Sequence, residues 1–211
     1  MTNRVLTLGL AAAVLFGATA TASAQGGTGT TTEPTFELSA GYQLFRAGRV
    51  CDDDPLEEVC APNRTYPFGL AIDAARNFGA FSVVGEIGWA FDSDSFDDGL
   101  EGTDDGDLKF NTWHFAGGGR WTSRTAPRLW PFVQVLAGAV HDRVSADDDS
   151  FDGSNTAFML QPGVGATYVA GDGWGIVGQV DYRRVFLDEE ENLASGRNDL
   201  RVFIGVRMIL D

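Results

Sequence analysis

The sequence predicts an all-β fold, namely an eight-stranded antiparallel up-and-down transmembrane β-barrel. Three observations lead to this prediction. Apolar residues alternate with small or polar ones in eight stretches between residues 35 and 210, which is typical of strands with two different faces. The connections between these stretches are alternately long and short. Aromatic residues lie at the ends of the stretches, where the two surfaces of a bilayer favour them.

Length and composition limit the classes of protein. The chain has 211 residues, with 30 acidic and 15 basic side chains and a formal net charge of −15. That length is enough for one domain or at most two small ones. Such acidity argues against a nucleic-acid partner, because phosphate contacts need a basic face. No apolar run approaches the roughly 20 residues of a membrane helix beyond the first segment.

The chain begins with features of an export signal. A basic start at Arg4 precedes a mostly apolar stretch, and Ala22-Ser23-Ala24 fits a cleavage site before Gln25. We therefore expect a signal peptide at residues 1–24. Residues 25–34 are rich in Gly and Thr and predict a flexible leader. The barrel domain is expected at residues 35–211.

The alternation places the strands in order. They are expected at residues 36–44, 66–74, 81–91, 113–121, 131–139, 158–168, 174–182 and 200–210. The apolar face of each stretch starts at its first residue and carries no charge. Pro162 interrupts the sixth stretch, and we expect a local bulge there because proline lacks a ladder donor.

The opposite faces carry a balanced set of charges. Four acids and four arginines form this ionic set: Glu37, Asp73, Glu86, Arg120, Asp181, Arg183, Arg201 and Arg207. Buried charges in a low dielectric must pair. The expected pairs are Glu86 with Arg120, Asp181 with Arg201, and Glu37 with Arg207. Packing is the favoured role of the set, and a gated ion path is the alternative.

The placement of aromatic residues distinguishes a membrane barrel from a soluble one. A soluble barrel turns its apolar face inward, whereas a membrane barrel turns it towards lipid. One end of the strands carries Phe36, Phe81, Trp121, Tyr168 and Trp174, and the other carries Tyr66, Trp89, Phe91, Trp113, Phe158 and Tyr182. Two such girdles favour the membrane barrel.

The connections give the barrel a direction. The long ones span roughly residues 49–64, 92–108, 141–155 and 187–199 and hold 23 of the 30 acids. The short ones lie near residues 76–79, 122–128 and 170–173 and carry Arg76, Arg124 and Arg128. Because membrane barrels have long external loops and short periplasmic turns, an acidic external face is expected.

With the strands placed, residues 35–210 resemble the OmpA-like outer-membrane β-barrel family of Gram-negative bacteria. The final strand, residues 201–210, is similar to the signal that barrel-assembly machinery reads, with Gly205 in place but Met208 and Leu210 where aromatics are usual. The resemblance implies the outer membrane as location. It implies outer-membrane lipids, lipopolysaccharide and the assembly machinery as partners, and a monomer.

Catalytic and metal motifs do not emerge from the sequence. The two histidines, His114 and His141, lie in no hydrolase motif, and no Gly-x-Ser-x-Gly occurs. A non-enzyme without a cofactor is therefore expected. The stretch from Asp148 to Gly153 copies the opening of a calcium loop, but the Glu at the twelfth position is lacking. No metal site is predicted.

Cys51 and Cys60 lie in the first long connection, nine positions apart. An exported chain passes through the oxidising periplasm, and Pro55 favours a turn between them. A disulfide is therefore expected. A metal or redox pair is less favoured, because no histidine or third cysteine is near.

Three roles fit these features. The first is a structural outer-membrane barrel, and the second is a narrow porin-like channel for small solutes or ions. The third is a surface-interaction protein that acts through its acidic loops. An eight-stranded interior is about filled by side chains, which favours the first and third.

Overall fold

The computed structural model describes residues 34–51, 60–61, 63–96, 106–146, 152–187 and 196–211. The eight long strands are β1 (Phe36–Ala47), β5 (Phe68–Phe78), β6 (Phe81–Phe96), β7 (Gly106–Thr122), β8 (Leu129–Ala146), β9 (Asp152–Gly171), β10 (Trp174–Phe186) and β11 (Arg197–Leu210). Three short strands lie between β1 and β5, namely β2 (Val50–Cys51), β3 (Cys60–Ala61) and β4 (Arg64–Tyr66). In the described parts of the chain, no helix is long and apolar enough to cross a membrane.

The long strands form a closed barrel. Each pairs antiparallel with the next, and β11 returns to pair with β1 from Phe36 opposite Leu210 to Arg46 opposite Leu200. Closure satisfies the backbone donors and acceptors of both end strands, which lipid cannot do. The predicted eight-stranded antiparallel barrel is confirmed.

The two faces of the wall differ as the alternation predicts. Outward side chains such as Phe81, Val164 and Ile204 are 58–66% exposed on the isolated chain. Inward positions hold most of the buried polar and charged residues. Apolar clusters in the interior are small, and one of them joins Ala71, Phe132, Val177 and Phe203. The wall is thus an apolar belt around a largely polar interior, the arrangement of a membrane barrel.

Two hairpins are longer than the alternation predicts. The β6–β7 ladder continues to Phe96 opposite Gly106, and the β8–β9 ladder continues to Ser145 opposite Asp152. Both ends lie within the expected connections 92–108 and 141–155. Beyond the bilayer both faces of a strand meet water, so the period-two signal fades although the ladder continues.

Tyr66 faces the interior and not the lipid. This corrects the prediction that it belongs to one of the two aromatic girdles. It is 6% exposed and packs on Phe45 with ring centroids 5.4 Å apart. Phe45 is opposite Tyr66, whereas Tyr42 is opposite Leu70, so one extra residue lies between β4 and β5 near Pro67. One extra residue in a strand reverses which face each preceding side chain occupies.

The bulge expected at Pro162 is also wrong. Pro162 is opposite Val135 in an unbroken β8–β9 ladder. The ladder to β10 is interrupted between Asp181–Gly163 and Arg184–Leu160 and resumes in the same register. Proline removes a donor, but its fixed φ lies within the extended region, so no extra residue is needed. The register shift of this hairpin lies at Trp174–Gly175, beside its turn.

Some predictions concern residues outside the described parts. Residues 1–33 include the expected signal peptide and nearly all of the leader. Asp148 and Ser150 of the calcium-like motif are also outside. The backbones of β2 and β3 pair with Cys51 opposite Cys60, and the disulfide stays a prediction.

Candidate functional site

The candidate site is the barrel interior, to which every second residue of each strand points. All eight residues of the ionic set lie there, between 0% and 6% exposed. They divide into two groups along the barrel. We call them the upper cluster, around Arg201 on the side of the long connections, and the lower cluster, around Arg207.

In the upper cluster Arg201 bridges two carboxylates. Its Nη1 and Nη2 donate to Oε1 and Oε2 of Glu86, the latter at 2.7 Å, and its Nε lies 3.0 Å from Asp181 Oδ2. Glu86 is on β6 and Arg201 on β11, which are not neighbours in the sheet, so the bidentate pair crosses the lumen. Bidentate pairing of this kind fixes both side chains in one geometry.

Two polar side chains, His114 and Gln161, complete the surroundings of Glu86. His114 Nε2 lies 3.1 Å from Glu86 Oε1, and Gln161 Nε2 donates to the same oxygen at 3.0 Å. Gln161 Oε1 in turn accepts from Arg183 Nε at 3.0 Å, and the Arg183 guanidinium lies 5.0 Å from the Phe45 ring centroid. The upper cluster therefore involves side chains from β1, β6, β7, β9, β10 and β11.

The lower cluster has two acids and two arginines. Arg120 Nη2 lies 3.1 Å from Asp73 Oδ1, and Arg207 Nη1 lies 3.3 Å from Glu37 Oε2. Longer contacts of 3.9 Å and 3.7 Å join Arg120 to Glu37 and Arg207 to Asp73. From the turn after β7, Arg124 Nη2 donates to Glu37 Oε1 at 2.8 Å. Each charge in this cluster is thus compensated by at least one opposite charge.

Gln134 connects the two clusters. Its Oε1 accepts from Arg120 Nε at 2.9 Å, and its Nε2 donates to Asp181 Oδ1 at 3.4 Å. Phe132 lies beside the lower cluster, with the guanidiniums of Arg120 and Arg207 4.8 Å and 5.1 Å from its ring centroid. The interior is therefore one continuous set of contacts.

The structure brings together two of the three expected pairs, Asp181 with Arg201 and Glu37 with Arg207. The third expectation, Glu86 with Arg120, is corrected, because Glu86 pairs with Arg201 and Arg120 pairs with Asp73. The register explains the difference. Glu86 is opposite Ala116, and Arg120 lies four residues farther along, roughly 13 Å at strand spacing.

A third group of ion pairs near the long connections was missed by sequence reasoning. Arg197 lies 2.9 Å from both Asp142 Oδ2 and Asp199 Oδ1. Arg64 Nη1 lies 2.8 Å from Asp92 Oδ2, and its guanidinium lies over the Phe110 ring. These residues fall in segments that were predicted to be connections. A signal was present, because Arg197 and Asp199 share the parity of Arg201.

Two glycines make room for these large side chains. A Cβ at Gly163 would lie 1.9 Å from Asp181 Oδ1, and a Cβ at Gly88 would lie 2.1 Å from Cε1 of His114. The interior is therefore packed to the point where a methyl group displaces a charged or aromatic partner. Such an arrangement holds opposite walls together, and it leaves the charges little freedom to move.

Comparison with known proteins gives a structural match without a sequence match. No family model and no curated protein matches the chain. Neisserial surface protein A is similar in structure, with a TM-score of 0.60 and 11% identity over 83% of this chain and 97% of that chain. OprG from Pseudomonas aeruginosa has a TM-score of 0.49 and 11% identity, covering 83% of this chain and 95% of its own. Ail of Yersinia pestis has a TM-score of 0.47 and 15% identity, covering 84% and 100%.

The likeness to the Neisserial protein carries the conclusion on fold. This chain has the fold of the eight-stranded outer-membrane β-barrels, as the resemblance to the OmpA-like family implies. The outward apolar belt described above fits the same environment, and the outer membrane is the location that belongs to this fold.

Proposed function

We propose that this chain is an integral outer-membrane β-barrel with a closed lumen and acidic external loops, which acts structurally or through those loops. The observation that carries the proposal is the bidentate pair of Glu86 and Arg201 across the lumen, extended by Asp181. A structural barrel needs a rigid interior and does not need a path through it.

Most charged side chains of the described interior are held in ion pairs. Ion pairs between strands that are not neighbours in the sheet occur at three heights, through Arg197 with Asp142, Arg201 with Glu86, and Arg120 with Asp73. A passing ion would have to separate these ion pairs. Removing one partner from a buried ion pair costs several kcal/mol. The narrow channel is therefore the less favoured alternative.

The external face is where we propose that interactions occur. Most acids of the chain belong to the connections of one end, and solvated acidic loops are suited to cation-mediated or protein contacts. Lipids, lipopolysaccharide and the barrel-assembly machinery are the proposed partners of the wall and of the final strand. A monomer is proposed, because the barrel closes on itself.

We also propose that the protein is not an enzyme. His114 is held by Glu86 inside the barrel, and His141 Nδ1 lies 2.7 Å from Thr156 Oγ1 on the outer wall. Among the described residues no acidic side chain orients His141, as a base that activates a hydroxyl nucleophile requires.

Conductance across a planar bilayer tests the closed lumen. We expect the refolded mature protein to give no stepwise conductance above that of a detergent blank, with a general porin as positive control. Arg201→Ala should increase leakage, because it removes the bridge between Glu86 and Asp181. Regular conductance steps of the wild-type protein that disappear when the lumen is blocked would support the channel instead.

Heat-modifiable gel mobility tests the barrel itself.

A further inference from the structure

An apolar concavity lies on the outer wall, mainly on β8, β9 and β10. It has a volume of about 460 Å³, which is within the usual range of small-molecule sites. Most of its lining is short, because four valines and a proline contribute to it together with one tyrosine: Val133, Val135, Pro162, Val164, Val180 and Tyr182. All six are exposed on the isolated chain, so the concavity opens towards lipid.

The backbone at this concavity contains a carbonyl group without its ladder donor. The register of the β9–β10 ladder puts Pro162 opposite Tyr182 and is interrupted there, whereas the β8–β9 ladder continues through Pro162. In an antiparallel sheet the N–H and C=O of one residue point to the same neighbouring strand. The nitrogen of Pro162 therefore faces β10. Because proline has no N–H, the carbonyl of Tyr182 receives no hydrogen bond from it.

No side chain of the described residues donates to the Tyr182 carbonyl instead. The hydroxyl of Tyr182 itself donates to Asn198 Oδ1 at 2.6 Å. Gln161 and Arg183, beside the interrupted pair, face the lumen and are joined to each other through Arg183 Nε and Gln161 Oε1. An unsatisfied backbone carbonyl is costly in hydrocarbon, where water is scarce. A ligand that donates one hydrogen bond at this position removes that cost.

The carbonyl lies deep in the hydrocarbon layer. On β9 the outward aromatic residues Phe158 and Tyr168 mark the two ends of the apolar belt, and Pro162 is four residues from one and six from the other. These separations are roughly 13 Å and 20 Å along the tilted strand. A lipid headgroup stays at the surface of the bilayer. The donor must therefore belong to a molecule that dissolves in the hydrocarbon.

We propose that this concavity binds a small lipophilic alcohol that is dissolved in the bilayer. The hydroxyl of the alcohol donates to the Tyr182 carbonyl, and its hydrocarbon part fills the space between the valines. Such binding rests on the proposed function, because it requires an inserted barrel with this wall in lipid.

Nuclear magnetic resonance of the refolded mature protein in lipid nanodiscs tests the site, with ¹³C at the carbonyl carbons of the four tyrosines. The probes are 1-decanol and its methyl ether, which has nearly the same shape but no donor. We expect 1-decanol to move the Tyr182 carbonyl signal downfield, and Tyr182→Phe identifies that signal. We also expect 1-decanol to bind about five- to tenfold more tightly than the ether, since it makes one additional hydrogen bond.

Two variants separate the hydrogen bond from the concavity. Pro162→Ala supplies the missing N–H, so its Tyr182 signal should lie downfield before any probe is added, and the two probes should bind equally. Val164→Phe fills the concavity and should weaken the binding of both probes at least about tenfold. Val83→Phe is the matched control, because Val83 is exposed on β6 outside the concavity, and it should bind as the wild type does.

Three results would overturn the proposal. They are equal binding of 1-decanol and its ether by the wild type, an unchanged preference for 1-decanol in Pro162→Ala, and a wild-type Tyr182 signal that lies at the Pro162→Ala position without any probe. The last result would show that water or a protein group already donates to the carbonyl. Heat-modifiable mobility is measured on every variant. If the wild type itself shows no mobility shift, the barrel proposal fails, whereas a normal shift with equal binding of the two probes rejects only this site.

Discussion

The two faces of β11 meet opposite environments within a few ångströms of each other. Ile204 faces lipid with no specific partner and is 58% exposed on the isolated chain. Arg201, three residues earlier, is 1% exposed and held by two carboxylates from other strands. An outward position needs only an apolar side chain, whereas an inward position needs particular partners. The effects of substitutions on stability should therefore be independent on the outer face and coupled in the interior.

The largest effect is expected from breaking the upper cluster. Arg201→Met leaves Glu86 and Asp181 buried without their cation, which should lower the free energy of unfolding by about 3–5 kcal/mol. The triple variant Glu86→Gln/Asp181→Asn/Arg201→Met should recover most of this loss, because no unpaired carboxylate remains. Urea titration of the protein in lipid vesicles measures both. If the triple variant is less stable than Arg201→Met, the charges are not coupled.

The second-largest loss of stability is expected from a charge on the outer wall. Ile204→Arg should cost roughly 2–4 kcal/mol in a bilayer, because the guanidinium enters hydrocarbon. Ile204→Leu keeps the position apolar and is the control. Combined with Arg201→Met, Ile204→Arg should add its own cost, as independent sites do. Wild-type stability of Ile204→Arg in vesicles would show that the inside and outside of β11 are assigned the wrong way round.

Adding one methyl group to an inner or an outer glycine compares the two faces through a smaller change in stability. Gly163→Ala places a Cβ 1.9 Å from Asp181 Oδ1, whereas nothing lies within 4 Å of a Cβ at Gly178 on the outer face. We expect Gly163→Ala to destabilise by about 1–3 kcal/mol, as overpacking does. Gly178→Ala should change stability by less than about 0.5 kcal/mol. Equal stabilities in the same urea titration would mean that the interior tolerates the shift of Asp181.

The smallest effect on the barrel is expected at the cysteines. We propose that Cys51 and Cys60, whose backbones are paired between β2 and β3, form a disulfide. In the chain-entropy model so short a loop gains only about 2–3 kcal/mol, and the gain is local. Cys51→Ser/Cys60→Ser should speed proteolysis between these strands and leave barrel unfolding unchanged. Alkylation of two thiols in the unreduced mature protein would refute the bridge.

The same contrast explains what could be predicted from sequence. Each outward position is decided by its own side chain and by parity, so residues such as Ile204 could be placed without knowledge of any neighbour. The pairing of Glu86 could not, because its partner Arg201 depends on the register around the barrel. Tyr66 was misplaced since one extra residue near Pro67 reverses the faces, and such an insertion leaves no mark in the alternation.

The ion pairs of Arg197 and Arg64 show a second limit. Their strands extend beyond the bilayer, where polar side chains occur on both faces and alternation carries little information. The predicted long connections therefore included residues that belong to the strands of the barrel wall. Parity shared with Arg201 was the available signal, and it becomes convincing only once the β10–β11 ladder, with Val185 opposite Arg197, is known.

The pairing of β1 with β11 has a consequence for how the chain reaches this state. The two strands are separated by nearly the whole domain, so the final ladder has the largest sequence separation of any in the sheet and is expected to form slowly. Until then both strands have unpaired edges, which readily join the edges of other chains. Every molecule must therefore be kept apart from its copies from export until its last strand is in place, and the rate of that one step sets how long it is at risk of aggregation.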